Sequence, residues 1–296
     1  MNSKRVRLGL LALRAAISVG LVAFFAWRLD LAPLRAALER IDAAGLAAAV
    51  LVVAAPVAAF SALRWMTVCR ALGLPMGAGR SLELVYVGWF FNQFLPSAIG
   101  GDVVRALRTR GMGADWTRVV HSALLDRLLA LAAMVLIVVG GWPLVSSLIV
   151  DSEVRLGIAA LMGVVALGFV ALLALPTGFS AAARAVLLSR FAPGAILASV
   201  LVHLATALAA WLIARALGLP VTLAAACVLM PLVLFVTMIP ISIGGWGVRE
   251  GAMIGAFAFA GVEPAAALAM SLLFGLVFIA AAAPGAVLWL RDPVRE

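Results

Sequence analysis

The chain has 296 residues, of which 66% are hydrophobic and 12% charged, and its mean hydropathy is +1.20. A soluble domain is about 45–50% apolar and about 25% charged, so this chain lacks the polar surface of a water-facing globule and reads as an integral membrane protein. The net charge of +9 comes from 22 Lys+Arg against 13 Asp+Glu; these charges sit in short clusters between apolar runs, which excludes a nucleic-acid patch and points to lipid phosphates.

In chain order, the N-terminal MNSKRVR and the apolar run after it resemble a signal sequence, but Arg14 interrupts the run and no small-x-small cleavage site follows. We read it as a retained first helix. Spans of about 20 apolar residues are expected at 8–27, 43–63, 119–141, 155–175, 196–217 and 264–290. Segments 82–110 and 222–262 carry Pro-Gly breaks and are read as pairs of half-helices, that is, re-entrant hairpins. Stretches 31–42 and 180–193 mix arginine with apolar residues at helical spacing and are expected to lie along a leaflet. Cys69 and Cys227 stand far apart with no metal-ligand spacing, so neither a metal nor a cofactor is expected.

The fold expected is therefore an all-α polytopic membrane protein, a single domain over 1–296 with six spans and two hairpins. With the N-terminus in the cytoplasm, most basic residues, Lys4, Arg64, Arg105 and Arg184 among them, fall on the inner side. Only Arg28, Arg35, Arg40, Arg155 and Arg215 fall outside. Both termini are then cytoplasmic, as the excess of Lys and Arg in inner loops requires. Eight ordinary spans give the same orientation but demand unbroken helices through Pro96 and Pro240.

One pattern occurs twice. Residues 96–105 read PSAIGGDVVR and residues 240–249 read PISIGGWGVR, matching Pro96 with Pro240, Gly100 and Gly101 with Gly244 and Gly245, and Arg105 with Arg249. SALLD at 122–126 resembles SLLFG at 271–275. We read a duplicated unit of hairpin plus helix at 82–141 and 222–290. The three spans between the hairpins bring the second in from the opposite face, an inverted-topology repeat of the kind transporters use to build midplane sites.

Proline ends one half-helix, and paired glycines allow a tight turn that presents free N–H groups at the start of the next. Such a start favours anions. Arg105 and Arg249, from opposite leaflets, could clamp a phosphate with bidentate hydrogen bonds. Asp102 and Glu250 are equally compatible with holding an arginine, as in Asp102–Arg249 or Arg105–Glu250 pairs, and with the substrate site. Asp126 and Arg127 either face that site or form a local salt bridge. Asn92 and Gln93 either offer amides to a headgroup or satisfy backbone freed by Pro96. His121 and His203 are read as structural, and most tryptophans near span ends, Trp65 among them, as interfacial belt residues.

FFNQFLPSAIGGDVVRA followed by LLDRLLAL, IPISIGGWGVREGA in the second half, and ALRW at 62–65 resemble the lysylphosphatidylglycerol synthase transmembrane-region family over nearly the whole chain. The resemblance implies a lipid flippase or lipid-handling membrane protein, in some members associated with lipid-linked sugar or polyprenoid pathways. It carries over Pro96, Gly100, Gly101, Asp102, Arg105, Asp126 and Arg127 from the first motif. From the second it carries over Pro240, Gly244, Gly245, Gly247, Arg249 and Glu250. Bifunctional members continue into a soluble aminoacyl-transferase domain, whereas this sequence ends shortly after its last expected helix, so lysyl transfer is not expected.

The function expected is movement of an anionic phospholipid or polyprenyl-linked headgroup across the bacterial inner membrane. No G-x-x-x-x-G-K-[ST] motif is present, so gradients or protons would drive it, with Asp102, Asp126 or Glu250 as carriers. An integral-membrane lipid transferase and a non-transporting accessory subunit, partnered by a glycosyltransferase or envelope-biogenesis protein, remain open. The lack of a catalytic motif weighs against the enzyme without deciding it. Small-residue-rich helices suit a compact monomer and a homodimer alike.

Overall fold

The computed structural model describes residues 19–20, 24, 41–94, 100–238 and 245–291. Most of the expected span at 8–27 and of the stretch at 31–42 lies outside them, as do Pro96, Ile99, Pro240, Ile243 and Gly244.

Every regular element among the described residues is helical, and five helices are long and apolar enough to cross a membrane. The first, Ala43–Ala71, comprises α1 (Ala43–Val52), a π-turn (Val53–Val57) and α2 (Ala58–Ala71). Asp42 caps its start, accepting from the Ala44 N–H at 3.0 Å. Pro56 lies in the π-turn; proline has no N–H to give the ladder, and a widened turn accommodates it without ending the helix. The expected spans at 119–141, 155–175 and 196–217 are observed as α5 (Trp116–Gly140), α7 (Ser152–Ala174) and α9 (Ala192–Ala216). The last long helix, Pro264–Arg291, is α12 (Pro264–Ala282) followed by α13 (Pro284–Arg291). A short α6 (Trp142–Leu148), which the hydropathy pattern did not separate from its neighbours, follows α5. The stretch expected along a leaflet becomes α8 (Gly178–Leu187).

Both segments with a Pro-Gly break are interrupted helices. The first gives α3 (Ala78–Phe94) and α4 (Gly100–Gly111). The second gives α10 (Leu223–Thr237) and α11 (Val248–Ala258). Within each segment the two helices pack on one another. Gly245 and Gly247, at φ +79° and +87°, form the turn into α11, a conformation that costs residues with a Cβ but not glycine.

Helix α9 is the central post, packed against α1, α2, α5 and α10. Its buried face runs through Ala205, Ala207, Ala209, Ala210 and Ala214, and small side chains of this kind let helix backbones approach closely where lipid removes the hydrophobic drive to associate. By contrast α7 buries only Met162. Helix α13 crosses α3 at Gly285, where a Cβ would lie 2.1 Å from the Tyr86 carbonyl oxygen. The crossing continues in the Phe91–Trp289 ring pair, with centroids 4.7 Å apart. This ties the end of the described chain to the first broken segment.

Candidate functional site

A cavity of about 220 Å³ opens where α2, α3, α4 and α5 meet. Helix α2 contributes Ser61 and Arg64, α3 contributes Gly88, Trp89 and Asn92, α4 contributes Asp102 and Arg105, and α5 contributes Asp126 and Arg127. Asp102 and Arg105 share a face because three residues of helix return to nearly the same direction.

The five charged residues form one alternating chain. Arg64 grips Asp126 with two nitrogens, Nε to Oδ1 at 2.6 Å and Nη2 to Oδ2 at 3.3 Å. Arg105 Nη2 donates to Asp126 Oδ2 at 3.2 Å and also to Asp102 Oδ1. Arg127 Nε donates to the other Asp102 oxygen. Arg105 rests on the Trp65 ring, 4.4 Å from its centroid, a cation–π contact that strengthens when desolvated. Asp126 is 2% exposed, and a carboxylate held so deep requires such partners, because an unpaired buried charge is prohibitive.

Two glycines set the geometry. A Cβ on Gly101 would meet the Gly88 carbonyl oxygen at 2.0 Å, so α3 and α4 touch backbone to backbone. The Gly101 N–H is taken by Asn92 Oδ1 at 2.7 Å. Asn92 therefore satisfies freed backbone while it also lines the cavity. Gly100 begins α4. Gln93, one residue on, is half-buried and not part of the lining.

The second motif builds a different object. Glu250, fully buried, accepts from Arg249 Nη2 at 2.8 Å and from Ser271 Oγ at 2.9 Å on Oε1, and from the Gly247 N–H on Oε2. Arg249 Nε donates to Ser271 Oγ at 3.1 Å. Its guanidinium lies 4.5 Å from the Trp246 ring centre and 5.9 Å from that of Phe274. Gly275 makes the room: a Cβ there would come within 2.5 Å of Arg249 Nη2.

The two motif arginines thus correspond, each stacked on a tryptophan and each bonded to the helix after its hairpin. They are not brought together as a clamp at this cavity: Arg105 lines it and Arg249 does not. Nor are carboxylates exchanged between motifs, since Asp102 holds Arg105 and Arg127 whereas Glu250 holds Arg249. Backbone N–H groups expected to face an anion are partly spent, Gly101 on Asn92 and Gly247 on Glu250.

Arg64 and Ser271 were not picked out as site residues. Arg64 had a signal, a lone arginine inside an apolar stretch and the ALRW motif; Ser271 had only its place opposite Ser122 in the paired SALLD and SLLFG stretches. Trp65 is no belt residue, being fully buried beneath Arg105. His203 Nε2 lies 3.0 Å from the Ala130 carbonyl and His121 packs edge-on against Phe179, both structural contacts.

A family model described as Lysylphosphatidylglycerol synthase TM region matches residues 11–285. Among curated proteins the chain finds no match.

Proposed function

The chain belongs to the lysylphosphatidylglycerol synthase TM region family, and from that premise we propose that it translocates a lipid with an anionic headgroup, a phospholipid or a polyprenyl-linked lipid, across the bacterial inner membrane. The observation that carries this reading is the cavity of about 220 Å³ lined by Arg64, Asp102, Arg105, Asp126 and Arg127 between two half-helices and two long apolar helices. Ionisable side chains are costly among apolar helices in a bilayer and are characteristically found at substrate paths. Interrupted helices at membrane depth are tolerated where they line a cavity. Three long apolar helices, α5, α7 and α9, separate the two broken segments, which supports an inverted repeat whose second hairpin enters from the opposite face; the excess of Lys and Arg in inner loops supports cytoplasmic termini. The headgroup phosphate binds at the first motif, with the arginines as donors and Asp102 and Asp126 holding them until it arrives.

The second cluster favours a competing reading. Its charges are satisfied internally, as expected of a purely structural motif in a non-transporting accessory subunit of a lipid-linked glycan or envelope pathway.

Reconstitution of the pure protein in liposomes with fluorescent phospholipids and polyprenyl-phosphate sugars separates the two. Movement of one lipid class, lost in folded Arg105→Ala, supports translocation. If no lipid moves, or folded Arg105→Ala moves it as well as the wild type, the accessory reading replaces it.

A further inference from the structure

A polar seam runs between α2 and α9, outside both copies of the repeated motif. Ser61, Arg64 and Thr67 share one side of α2, and Ser199, His203 and Thr206 share one side of α9, because residues three or four apart in a helix face the same way. All six are buried, and the two helices pack on one another. Thr67, Ser199 and Thr206 spend their hydroxyl protons on carbonyls of their own helices. Their oxygens keep the capacity to accept.

In the middle of the seam two atoms are left over. Arg64 commits Nε and Nη2 to Asp126, while its Nη1, which has almost no surface open to the cavity, finds no hydrogen-bond partner among the described residues. His203 Nδ1 is buried without a partner as well. The two are of opposite kind. A guanidinium only donates. His203 Nε2 lies 3.0 Å from the Ala130 carbonyl oxygen, which only accepts, so the ring proton sits on Nε2 and Nδ1 presents a lone pair. A second ring proton would set another buried positive charge against Arg64, the charged group whose field His203 feels. Buried donors and acceptors are nearly always paired, so a complementary couple left over at one helix contact marks a missing link.

We infer that an internal water joins Arg64 Nη1 to His203 Nδ1, accepting from the first and donating to the second, and that His203 is thereby a positioning residue that holds Arg64 on Asp126. The second proton of the water has the hydroxyl oxygens of the seam to go to, which gives it the two to four bonds usual for a buried water. The inference rests on the translocation reading and deepens it, because Arg64 and Asp126 line the proposed site whereas His203 does not. His203 acts through Arg64, whose planar guanidinium is then fixed on both sides and holds the Asp126 carboxylate at one angle.

Two substitutions split the imidazole. Glutamine places its amide where Nε2 was and keeps the Ala130 bond, with nothing at the place of Nδ1. Asparagine is shorter, keeps an acceptor at that place and gives up Ala130. In liposomes His203→Asn is expected to move lipid at close to the wild-type rate and His203→Gln about tenfold more slowly, the worth of one charge-assisted hydrogen bond. Equal rates or the reverse order overturn the inference, since a merely structural histidine needs its Ala130 bond.

Nitrogen NMR of the full chain labelled at its two histidines requires neither a folded His203 variant nor transport. The signal that survives in His121→Gln is expected to be a neutral Nε2–H ring whose Nδ1 resonance is displaced by an accepted hydrogen bond. A free Nδ1, an Nδ1–H tautomer or an imidazolium overturns the inference. A high-resolution density map is expected to show one peak within hydrogen-bond reach of both atoms; direct contact between them, or no peak, overturns the water bridge. A protein that moves no lipid but has the hydrogen-bonded Nδ1 keeps this inference and removes the translocation reading. Lipid movement by a protein whose Nδ1 is free does the opposite.

Discussion

Gly101 and Gly88 bring the backbones of α4 and α3 into contact, so that a Cβ on Gly101 would sit 2.0 Å from the Gly88 carbonyl oxygen. Backbone on both sides cannot give way, and relief requires the helices to part. Because α4 carries Asp102 and Arg105, parting them opens the ion network as well. Gly101→Ala is expected to lower stability by about 1–3 kcal/mol, the usual cost of overpacking a close contact, and to be read as a lower thermal midpoint in detergent. Gly111→Ala is the control, at a position where an added Cβ meets nothing within 4 Å. Equal effects at the two positions would show that the close approach is not the cause.

Tyr86 reaches from α3 to the first span, where its hydroxyl donates to the Ala54 carbonyl beside the Pro56 turn. The carbonyl that Pro56 leaves without a ladder donor lies a turn earlier, so the bond to Ala54 is an added tie between α3 and the first span. Tyr86→Phe keeps the ring and removes the donor, so it is expected to cost about 0.5–1.5 kcal/mol in reversible unfolding. An unchanged midpoint would mean that the carbonyl is satisfied by other groups.

Hydropathy and proline–glycine punctuation made much of the architecture legible in advance. The described helices reach Phe94 and Thr237, just ahead in sequence of Pro96 and Pro240, the residue type that punctuates a helix pattern. The spans expected at 119–141 and 196–217 match α5 and α9 to within four residues at each end because apolar length alone defines them. The site was legible only in part, because pairing is a tertiary fact. Asp126 and Arg64 lie 62 positions apart, so nothing in the local sequence around either one names the other as its partner. Trp65 misled for a related reason, since a tryptophan near a span end resembles a belt residue until the arginine above it is seen. The likeness of the motifs suggests cross-repeat carboxylate pairs, but Asp102 has an arginine one turn away in its own helix, and that proximity decides.

Arg105 is asked to do three things: hold Asp102, hold Asp126 and cover Trp65. Lysine keeps the charge but has neither the fork nor the flat face. Arg105→Lys is therefore expected to fold with a loss of about 1–3 kcal/mol, in the range of a charged hydrogen bond, and to lose lipid movement in liposomes. Arg105→Ala leaves two buried carboxylates short of a partner, and is expected to cost about 3–5 kcal/mol. Near-wild-type transport by Arg105→Lys would show that the site needs only a positive charge and no directed donors.

The Arg249–Glu250 pair gives the sharpest contrast between the two motifs. Glu250 is fully buried, so Arg249→Met strands a carboxylate and is expected to cost about 3–5 kcal/mol. Adding Glu250→Gln removes that charge, and the amide oxygen can accept from the Gly247 N–H while the NH2 donates to the Ser271 hydroxyl that Arg249 no longer occupies, so the double variant is expected to be more stable than Arg249→Met alone. Such non-additivity is the signature of a coupled pair. Lipid movement by the folded double variant then separates structure from ligand recognition. Movement retained at the wild-type level means that the second motif locks the turn between α10 and α11 and leaves the anion to the first. Movement lost from a protein that unfolds at the wild-type temperature would restore Arg249 to the ligand site and make the two arginines partners after all.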